Sequence, residues 1–270
     1  MAKKINYSRK VEPKAKEGAT EKTGKGSPNN PAGIRLNRYI AHCGVCSRRE
    51  ADELIADGKI KVNNKLVTEM GYKVLPGEKV YYGKRLLKKE DHAYVLLNKP
   101  KDFITTTKDP NDRKTVMDLV KKASDVRLYP VGRLDRNTTG LLLLTNDGDL
   151  ADQLSHPSNN VKKIYKAELN KPILKADYEA IVEGFELEDG PIKVDELAVL
   201  TADSQSIGVE LHSGKNRIVR RIFEHFGYEV TSLDRMVYAG LDKANLPRGK
   251  WRHLSEKEIG ILKKKGKARR

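Results

Sequence analysis

The spacing of apolar positions after residue 33 predicts a small module of two helices and a few short strands. Residues 36–40 predict a short helix. Ser47 and, three residues later, Glu50 form a capping box, which predicts the start of a second helix. The buried face of that helix is expected to hold Ala51, Leu54 and Ile55. Short strands are expected over residues 60–62, 66–67 and 80–82.

From residue 93 onward, strand-like runs alternate with isolated helices. Strands are predicted over residues 94–98, 141–145, 164–169 and 206–211. Helices are predicted over residues 178–182 and 216–226, and residues 146–149 predict a tight turn. Many strands with few helices are typical of an α+β domain. We therefore predict an α+β fold class, in which a small module precedes a larger domain with a mostly antiparallel sheet.

The charge balance suggests a class of partner. The chain has 53 Lys and Arg residues against 37 Asp and Glu residues, a formal charge of +16, which favours a polyanion such as nucleic acid. Apolar runs such as residues 141–144 are far shorter than the roughly 20 residues that a membrane span needs. No apolar stretch follows the basic N-terminus, as a secretory signal would require. We therefore expect a cytoplasmic protein with no membrane partner.

Basic residues are concentrated at both ends of the chain. Residues 1–33 hold eight basic and three acidic side chains with few apolar ones, and they predict a disordered basic arm. Residues 263–270 hold six basic and no acidic side chains, and they predict a second basic tail. Either end would keep the protein in solution or attract phosphates. Charged residues 84–92 show no apolar period and predict a linker, so the module is expected to span residues 34–83 and the larger domain residues 93–262.

Cys43 and Cys46 form a C-x-x-C pair, a spacing that occurs in metal sites and in redox sites. Two cysteines cannot form a disulfide framework, which favours a reducing compartment. The pair supplies two ligands where a structural zinc site needs four, and no second pair follows it. A redox pair is typical of a strand-to-helix junction, whereas this pair lies between two predicted helices. We expect two thiols that pack the turn between the helices, and no metal.

One polar loop is the main candidate for chemistry. The sequence GRLDRNTTGLLLLT, residues 132–145, puts Asp135 between Arg133 and Arg136, before a strand of four leucines. Arginines on both sides are expected to favour the ionised carboxylate and to hold it in place. Alternatively, the Asp135 carboxylate would accept hydrogen bonds from the backbone of its own loop and stabilise that loop. The spacing alone leaves these two roles of Asp135 open.

The first module resembles a known RNA-binding domain. The sequences LNRYI at residues 36–40 and GVCSRREA at residues 44–51, with Gly58 and Val62 further on, are similar to the pattern of the S4 domain. The resemblance implies that the module binds structured RNA, mainly through contacts with its phosphates. The side chains expected on its basic face are Arg35, Arg38, Arg48 and Arg49. The alternative use of these arginines is an ordinary solvated surface.

The larger domain resembles the RNA pseudouridine synthases of the branch named for RsuA, which carry an S4 domain in front of the catalytic domain. Residues 132–145 are similar to the catalytic motif of that family. Three further matches follow in the family's order: KIY at residues 163–165, GKNRIVRR at 214–221 and GKWRHL at 249–254. Together the two resemblances cover residues 34 to about 255, more than four fifths of the chain.

The resemblance implies a role for each matching residue. Asp135 would be the nucleophile, Tyr165 would stack on the uracil and serve in removing its C5 proton, and Arg220 would pair with Asp135. Val219 would support the base from below, and Arg133 would help to displace or replace the flipped nucleotide. Further contacts to the RNA are expected from Lys163, Asn216, Arg217 and Arg221. The family needs no metal and no diffusible cofactor.

The arginines of the predicted helix over residues 216–226 share a spacing. Arg217, Arg220 and Arg221 stand three and four positions apart, which places them on one face of a continuous helix. Such a row would suit a carboxylate partner and phosphate contacts, or it would be a solvated charged face.

The substrate that the resemblance implies is a uridine of ribosomal RNA, free or in a pre-ribosomal particle. The basic arm and tail resemble those of the longer large-subunit members of the branch, which favours 23S RNA over 16S RNA. The resemblance also implies a monomer. Ser213 and Ile218 stand where the family usually has glutamate and glutamine. These departures leave the choice of uridine open.

Two other functions compete with isomerisation. An S4-type ribosome assembly factor without catalysis would need the basic surfaces alone, but the intact set of Asp135, Tyr165 and Arg220 argues against it. A metal-dependent nuclease would use Asp135, Asp147 and Asp149 as ligands.

Overall fold

The computed structural model describes residues 33–267 of the protein, with side chains up to Lys264. The predicted basic arm therefore lies outside the described residues, apart from Gly33. The last three residues of the predicted tail, 268–270, lie outside them as well.

The N-terminal module packs two helices against short antiparallel strands. Its elements are β1 (Ile34–Arg35), α1 (Leu36–His42), α2 (Arg48–Ala56), β2 (Ile60–Val62), β3 (Lys65–Leu66), β4 (Lys73–Val74), β5 (Val80–Tyr82) and β6 (Arg85–Leu86). Strands β3, β2, β5 and β6 form a sheet in that order, and β1 pairs with β4. The predicted capping box starts α2, because the Glu50 N–H donates to the Ser47 hydroxyl and the Ser47 N–H donates to the Glu50 carboxylate.

The core of this module takes apolar side chains from both helices and the sheet. Ala51 and Ile55 are buried as predicted, and Leu54 is partly buried against the same core. Cys43 is buried and Cys46 is half-buried. Burial raises the pKa of the Cys43 thiol to about 11. The two thiols pack the turn between the helices, as expected.

The core of the module extends beyond the boundary predicted at residue 83. Strand β6 pairs with β5, and the Leu87 N–H donates to the Val80 carbonyl. The Leu87 side chain is 2% exposed. Residues 84–87 therefore belong to the module rather than to the predicted linker; their apolar side chains stand among charged neighbours, where no period marks them as structured.

The larger domain is built around one nine-stranded sheet. The strands of this domain are β7 (Tyr94–Lys99), β8 (Tyr129–Pro130), β9 (Thr138–Thr145), β10 (Lys163–Leu169), β11 (Phe185–Leu187), β12 (Gly190–Ile192), β13 (Glu196–Val199), β14 (Ser206–Leu211), β15 (Val230–Tyr238), β16 (Leu241–Asp242) and β17 (Trp251–His253). Its helices are α3 (Val116–Val120), α4 (Gly148–Ser155), α5 (Lys175–Glu183), α6 (Ile218–His225) and α7 (Glu256–Lys267). Strands β11 and β12 form a separate ribbon.

The central sheet has the strand order β13-β14-β10-β15-β9-β7-β17, with β16 added to β15 and β8 added to β9. Its paired strands are antiparallel except for β15 and β9, which run parallel. This arrangement confirms the predicted α+β class with a mostly antiparallel sheet.

Strand β9 lies inside the sheet and is buried on both faces. Alternate leucines of residues 141–144 pack into cores on opposite sides, because successive side chains of a strand point in opposite directions. Gly140 has a φ of +106°, and a Cβ at this position would collide with the backbone of Arg235 on β15. Glycine therefore allows the close approach of β9 to its parallel neighbour, next to the candidate loop.

Two elements of the larger domain differ from the sequence prediction. Residues 146–149 do not form an isolated turn, because Asp147 caps α4 and its carboxylate accepts the Leu150 N–H at 3.0 Å. The helix predicted over residues 216–226 begins at Ile218, because Arg217 has a φ of +48°, in the left-handed region.

The C-terminal helix α7 takes in part of the predicted basic tail. Leu262 is fully buried, and the Lys263 ammonium lies 5.5 Å from the centre of the Tyr94 ring. Residues 263–267 are therefore helical rather than a disordered tail. Over residues 33–267 no helix combines the length and the apolar character needed to cross a membrane.

Candidate active site

A pocket of about 170 Å³ opens where the loop before β9 faces β10, β15 and the start of α6. The predicted site residues that line it are Arg133, Asp135, Lys163, Tyr165, Arg217 and Val219. Asp135 is the single acidic side chain among the described residues of the lining. The predicted residues Asn216, Arg220 and Arg221 lie outside this lining.

The loop that carries Asp135 is held by a buried lysine. Lys99, the last residue of β7, is 0% exposed, and its Nζ donates to the carbonyl oxygens of Asp135, Arg136 and Thr138 at 3.0, 3.1 and 2.8 Å. A fourth carbonyl, that of Pro100, accepts at 3.1 Å. The sequence analysis did not identify Lys99 as a site residue. A lysine closing an otherwise apolar strand was the signal for this role.

Two further contacts complete the support of the loop. The Thr105 hydroxyl donates to the Leu134 carbonyl at 2.8 Å and accepts the Leu134 N–H at 3.2 Å. The Asp102 N–H donates to the Arg136 carbonyl at 3.0 Å, and an Arg136 nitrogen lies 3.1 Å from the Asp102 carboxylate. The carboxylate of Asp135 therefore stands on a loop that is fixed on both sides, which favours a pre-positioned reactive group.

The described ion pair of Asp135 is with Arg217 and not with Arg220. The Arg217 Nη1 lies 3.7 Å from the Asp135 Oδ2, and the same guanidinium reaches the Glu224 carboxylate at 3.4 Å. Arg220 donates instead to the Val230 carbonyl at 2.6 Å. The structure therefore does not show the expected pair of Arg220 with Asp135. It also does not show the predicted row of arginines on one face of a continuous helix, because α6 begins after Arg217. Arg217, the left-handed residue before α6, bridges the Asp135 loop and Glu224 of the helix.

Two other predicted RNA contacts are engaged within the protein. Arg221 forms two hydrogen bonds with the Asp189 carboxylate, at 2.9 and 2.7 Å. The Lys163 Nζ donates to the carbonyls of His212 and Ser213, at 3.0 and 3.2 Å. These contacts tie the loops around the start of α6 to the rest of the domain, a use that the sequence did not indicate.

Tyr165 and Val219 provide apolar surface in the pocket. Tyr165 stands in β10 opposite Arg235 of β15, and the pairing shifts register between Ile164 and Tyr165. Such irregularities re-aim side chains near functional sites. Val219 lies in the first turn of α6 and is buried. A ring and a branched side chain that line one cavity are suited to hold a planar base.

Arg235 is a pocket residue that the sequence analysis missed. It lines the pocket, although its side chain is 2% exposed. Its Nε donates to the Leu141 carbonyl at 2.7 Å, and its guanidinium lies 4.4 Å from the centre of the Tyr238 ring. Its Nη2 is buried with no hydrogen-bond partner among the described residues. No local pattern identified it, because Arg235 follows Asp234 in a strand that mixes polar and apolar residues.

Positive charge dominates the surroundings of Asp135. Burial, with Arg235 nearby, lowers the pKa of Lys163 to about 8. Burial also lowers the pKa of Lys99 to about 8, although the Asp135 carboxylate acts in the opposite direction. Burial lowers the pKa of Arg220 as well. One carboxylate among several cations is suited to a polyanionic substrate.

The three aspartates of the nuclease hypothesis do not come together. Asp147 accepts a hydrogen bond from the Tyr94 hydroxyl at 2.7 Å, and Asp149 pairs with Arg38, whereas Asp135 lies in the pocket. Within the described part of the chain, no three His, Cys, Asp or Glu side chains are placed to hold a metal ion. The proposed carboxylate cluster is therefore wrong.

The predicted basic face of the N-terminal module lies at the junction with the larger domain. Part of it lines a second cavity, of about 440 Å³, which we call the inter-domain cleft. The side chains that define this cleft are Arg38, Arg48 and Arg49 from the module and Arg127 and Tyr129 from the larger domain. Arg38 pairs with Asp149 and lies 3.8 Å from the Asp152 carboxylate.

Comparison with known proteins gives consistent matches for both parts of the chain. The family model described as RNA pseudouridylate synthase matches residues 93–225, and the S4 domain model matches residues 34–80. The chain is 40% identical over 233 residues to the ribosomal large subunit pseudouridine synthase B of Bacillus subtilis, covering 85% of this chain and 95% of that protein. It is 35% identical over 229 residues to the dual-specificity RNA pseudouridine synthase RluF of Escherichia coli, covering 84% and 77%.

A solved structure agrees with these sequence matches. A crystal structure of a pseudouridylate synthase superposes with a TM-score of 0.60 at 27% identity, covering 85% of this chain and 99% of that one. The domain order and the loop around Asp135 agree with the same family. The chain therefore belongs to the RNA pseudouridine synthases that carry an N-terminal S4 domain, the RsuA/RluB/RluF family.

Proposed function

We propose that this RNA pseudouridine synthase isomerises a uridine of large-subunit 23S ribosomal RNA to pseudouridine. The name of the Bacillus subtilis relative assigns that protein to the large ribosomal subunit, and the match covers 85% of this chain. The observation that carries the chemistry is Asp135 on its braced loop, in one pocket with Tyr165. The S4 domain binds RNA, and we expect a cytoplasmic monomer that acts on ribosomal RNA or on a pre-ribosomal particle.

Access to the target requires base flipping. A uridine inside a stack is unreachable, and flipping it out costs roughly a few kcal/mol. In this proposal the uracil enters the pocket, stacks on Tyr165 and rests on Val219. Arg133 is exposed at the edge of the pocket, where its guanidinium would take the place of the flipped nucleotide in the RNA. The cationic surroundings of the pocket then hold the adjacent phosphates.

The reaction is an intramolecular exchange of bonds. The N1–C1′ bond of the uridine breaks, the uracil turns within the pocket, and a C5–C1′ bond forms. The C5 proton is removed, with Tyr165 assisting, and N1 ends up protonated, so that no co-reactant is consumed. The Asp135 carboxylate either attacks C1′ or assists elimination to a glycal. Both routes need the ionised carboxylate, for which one acidic group is enough.

The cations around Asp135 orient it rather than react. Arg217 is within 3.7 Å of the carboxylate, so we assign the orienting role to Arg217. Arg220 and Lys99 are also in electrostatic reach of Asp135. Lys163 and Arg221 hold the neighbouring loops, and Asn216 precedes the turn that aims Arg217.

The test is to map pseudouridines in both ribosomal RNAs by carbodiimide-stop sequencing, in cells with and without the gene. The expected result is the loss of a 23S site, restored by the wild-type gene and not by Asp135→Asn. Loss of a 16S site would overturn the choice of subunit. Complete maps with no lost site would favour an RNA-binding assembly factor without catalysis.

A further inference from the structure

The inter-domain cleft holds arginines that the proposed reaction does not use. Arg48 and Arg49 occupy the first turn of α2, and Arg127 faces them from the segment before β8. All three side chains are exposed. Over residues 33–267, none of the three takes part in a hydrogen bond or an ion pair with another side chain or with the backbone.

Three acidic groups near the cleft already have partners within the protein. Asp152 lies 3.8 Å from Arg38, and Asp149 pairs with Arg38 as well. The Glu50 carboxylate accepts the Ser47 N–H at 2.7 Å, as part of the helix cap. Arg127 lies in electrostatic reach of this carboxylate, and Glu53 follows Arg49 by one turn of α2. Among the described residues neither carboxylate forms an ion pair with Arg48, Arg49 or Arg127, so the N–H donors of these three guanidinium groups are available to an anion. Two cations in the first turn also oppose the dipole of their own helix, a cost that a bound anion would relieve.

The shape of the cleft suits a nucleic-acid strand. Its walls include the apolar side chains of Ala41 and Ala151 and the ring of Tyr129, against which sugars or bases can pack. Guanidinium groups at its edge can each form two parallel hydrogen bonds with a phosphate. Arginines from two domains, Arg48 and Arg127, face the same space, so one strand lying in the cleft would contact both domains.

Helix α4 links the cleft to the active-site pocket. Ala151 and Asp152 line the cleft, whereas Leu154 and Ser155, one turn further on, line the pocket. An α-helix rises about 1.5 Å per residue, so the eight residues of α4 span about 12 Å. One strand of a duplex advances about 3.4 Å per nucleotide along its axis. A strand that runs alongside α4 would cover the length of the helix within about four nucleotides.

We propose that the inter-domain cleft binds phosphates of the RNA strand that flanks the target uridine, within a few nucleotides of it. Arg48, Arg49 and Arg127 are the phosphate contacts, and Arg38, through its pair with Asp149, holds the two walls of the cleft in place. The position of the target relative to the cleft rests on the proposed function. The affinity of the cleft for RNA does not rest on it.

The test compares RNA binding by the full chain with that of the triple variant Arg48→Gln, Arg49→Gln and Arg127→Gln. The probe is 23S ribosomal RNA transcribed in vitro, bound at several salt concentrations, with both proteins carrying Asp135→Asn so that no turnover occurs. The slope of log affinity against log salt should fall by about 2 to 3, because each lost phosphate contact removes about 0.7 to 0.9. Affinity at low salt should fall about tenfold or more.

The matched control replaces three exposed lysines outside both cavities, Lys171→Gln, Lys175→Gln and Lys257→Gln, and should leave the slope unchanged. Equal thermal unfolding of all variants shows that the fold is intact. Ethylation interference should also locate sensitive phosphates within a few nucleotides of the modified uridine, and the triple variant should lose them. An unchanged slope in the triple variant, or an equal loss in the control, overturns the proposal.

The two proposals fail separately. If the wild-type protein forms no pseudouridine in 23S RNA but the triple variant still lowers the salt slope, RNA binding by the cleft is supported and the proposed 23S target is wrong. If pseudouridine forms in 23S RNA and the triple variant does not change the salt slope, the proposed target is supported and the proposed RNA binding by the cleft is wrong.

Discussion

The active-site pocket and the inter-domain cleft both contain several cations, but the two sets are used differently. At the pocket, Lys163 donates to backbone carbonyls and Arg217 pairs with the reactive carboxylate, while the buried Lys99 donates to carbonyls of the loop that carries that carboxylate. In the cleft, Arg48 and Arg127 have no such partners among the described residues. This difference indicates that cations with partners inside the protein hold the active site in place, whereas cations at a cavity without such partners are available to bind RNA.

Removing the reactive group should have the largest effect and should leave binding intact. Asp135→Asn should lower the rate of isomerisation by about 10⁴-fold or more, because an amide can neither attack the sugar nor assist elimination. RNA affinity should not change, since the cations remain. The measurement is single-turnover pseudouridine formation beside filter binding. The matched control is Asp125→Asn, an exposed carboxylate outside the pocket. A rate for Asp135→Asn near that of this control would contradict the assignment.

Removing a cation that builds the site should lower the rate without weakening RNA binding. In Lys99→Met the four carbonyls lose their common donor, and the Asp135 loop shifts. We expect kcat to fall by about 10²-fold, the size of effect that a misplaced reactive group produces, with KM unchanged. Lys101→Met, an exposed neighbour, is the matched control. A rise in KM with normal kcat would mean that Lys99 serves binding instead.

The same lysine predicts opposite pH trends for activity and for stability. The pKa of Lys99 is lowered from 10.5 to about 8 in the folded protein, so between these values the unfolded chain binds the proton and the folded protein does not. Its contribution to the free energy of unfolding therefore rises with pH in this window. Activity should fall above pH 8, because a neutral amine holds the carbonyls less strongly. Lys163, whose pKa is also lowered to about 8, contributes trends of the same sign. The test is therefore whether the urea unfolding and the rate of Lys99→Met depend less steeply on pH than those of the wild type, and equal pH dependence in both proteins would exclude Lys99 as a source.

The smallest effect is expected for the ion pair between the domains. Arg38 pairs with Asp149 at a partly exposed position, where such pairs contribute less than about 1 kcal/mol. Arg38→Gln should therefore change the free energy of unfolding by less than about 1 kcal/mol. A double-mutant cycle with Asp149→Asn, followed by urea unfolding, isolates the pair. A coupling of several kcal/mol would show that the junction is more strongly held than its exposure suggests.

The strands were predictable because their signal is local. Strands over residues 60–62, 80–82 and 206–211 have the limits that the apolar pattern predicted. Helix α4 was missed because an Asp-Gly pair is typical both of a turn and of a helix start, and Asp147 serves as the cap. The left-handed Arg217 was missed because the helical spacing continues through it.

The candidate site was predictable in its residues but not in its contacts. The family motifs placed Asp135, Tyr165 and Val219 together, and the structure brings all three to one pocket. The hydrogen bonds of Lys99 join positions 36 to 39 residues apart, and no local pattern reports such contacts. The partner of Asp135 likewise depends on how the turn before α6 folds.

The most direct measurement uses the purified protein with separate transcripts of 23S and 16S ribosomal RNA, followed by carbodiimide mapping of every pseudouridine formed. We predict a discrete site in 23S RNA for the wild-type protein and none for Asp135→Asn. Pseudouridine formed by Asp135→Asn, or no pseudouridine formed by the wild type on either RNA while both proteins still bind, would contradict the proposed reaction and its site.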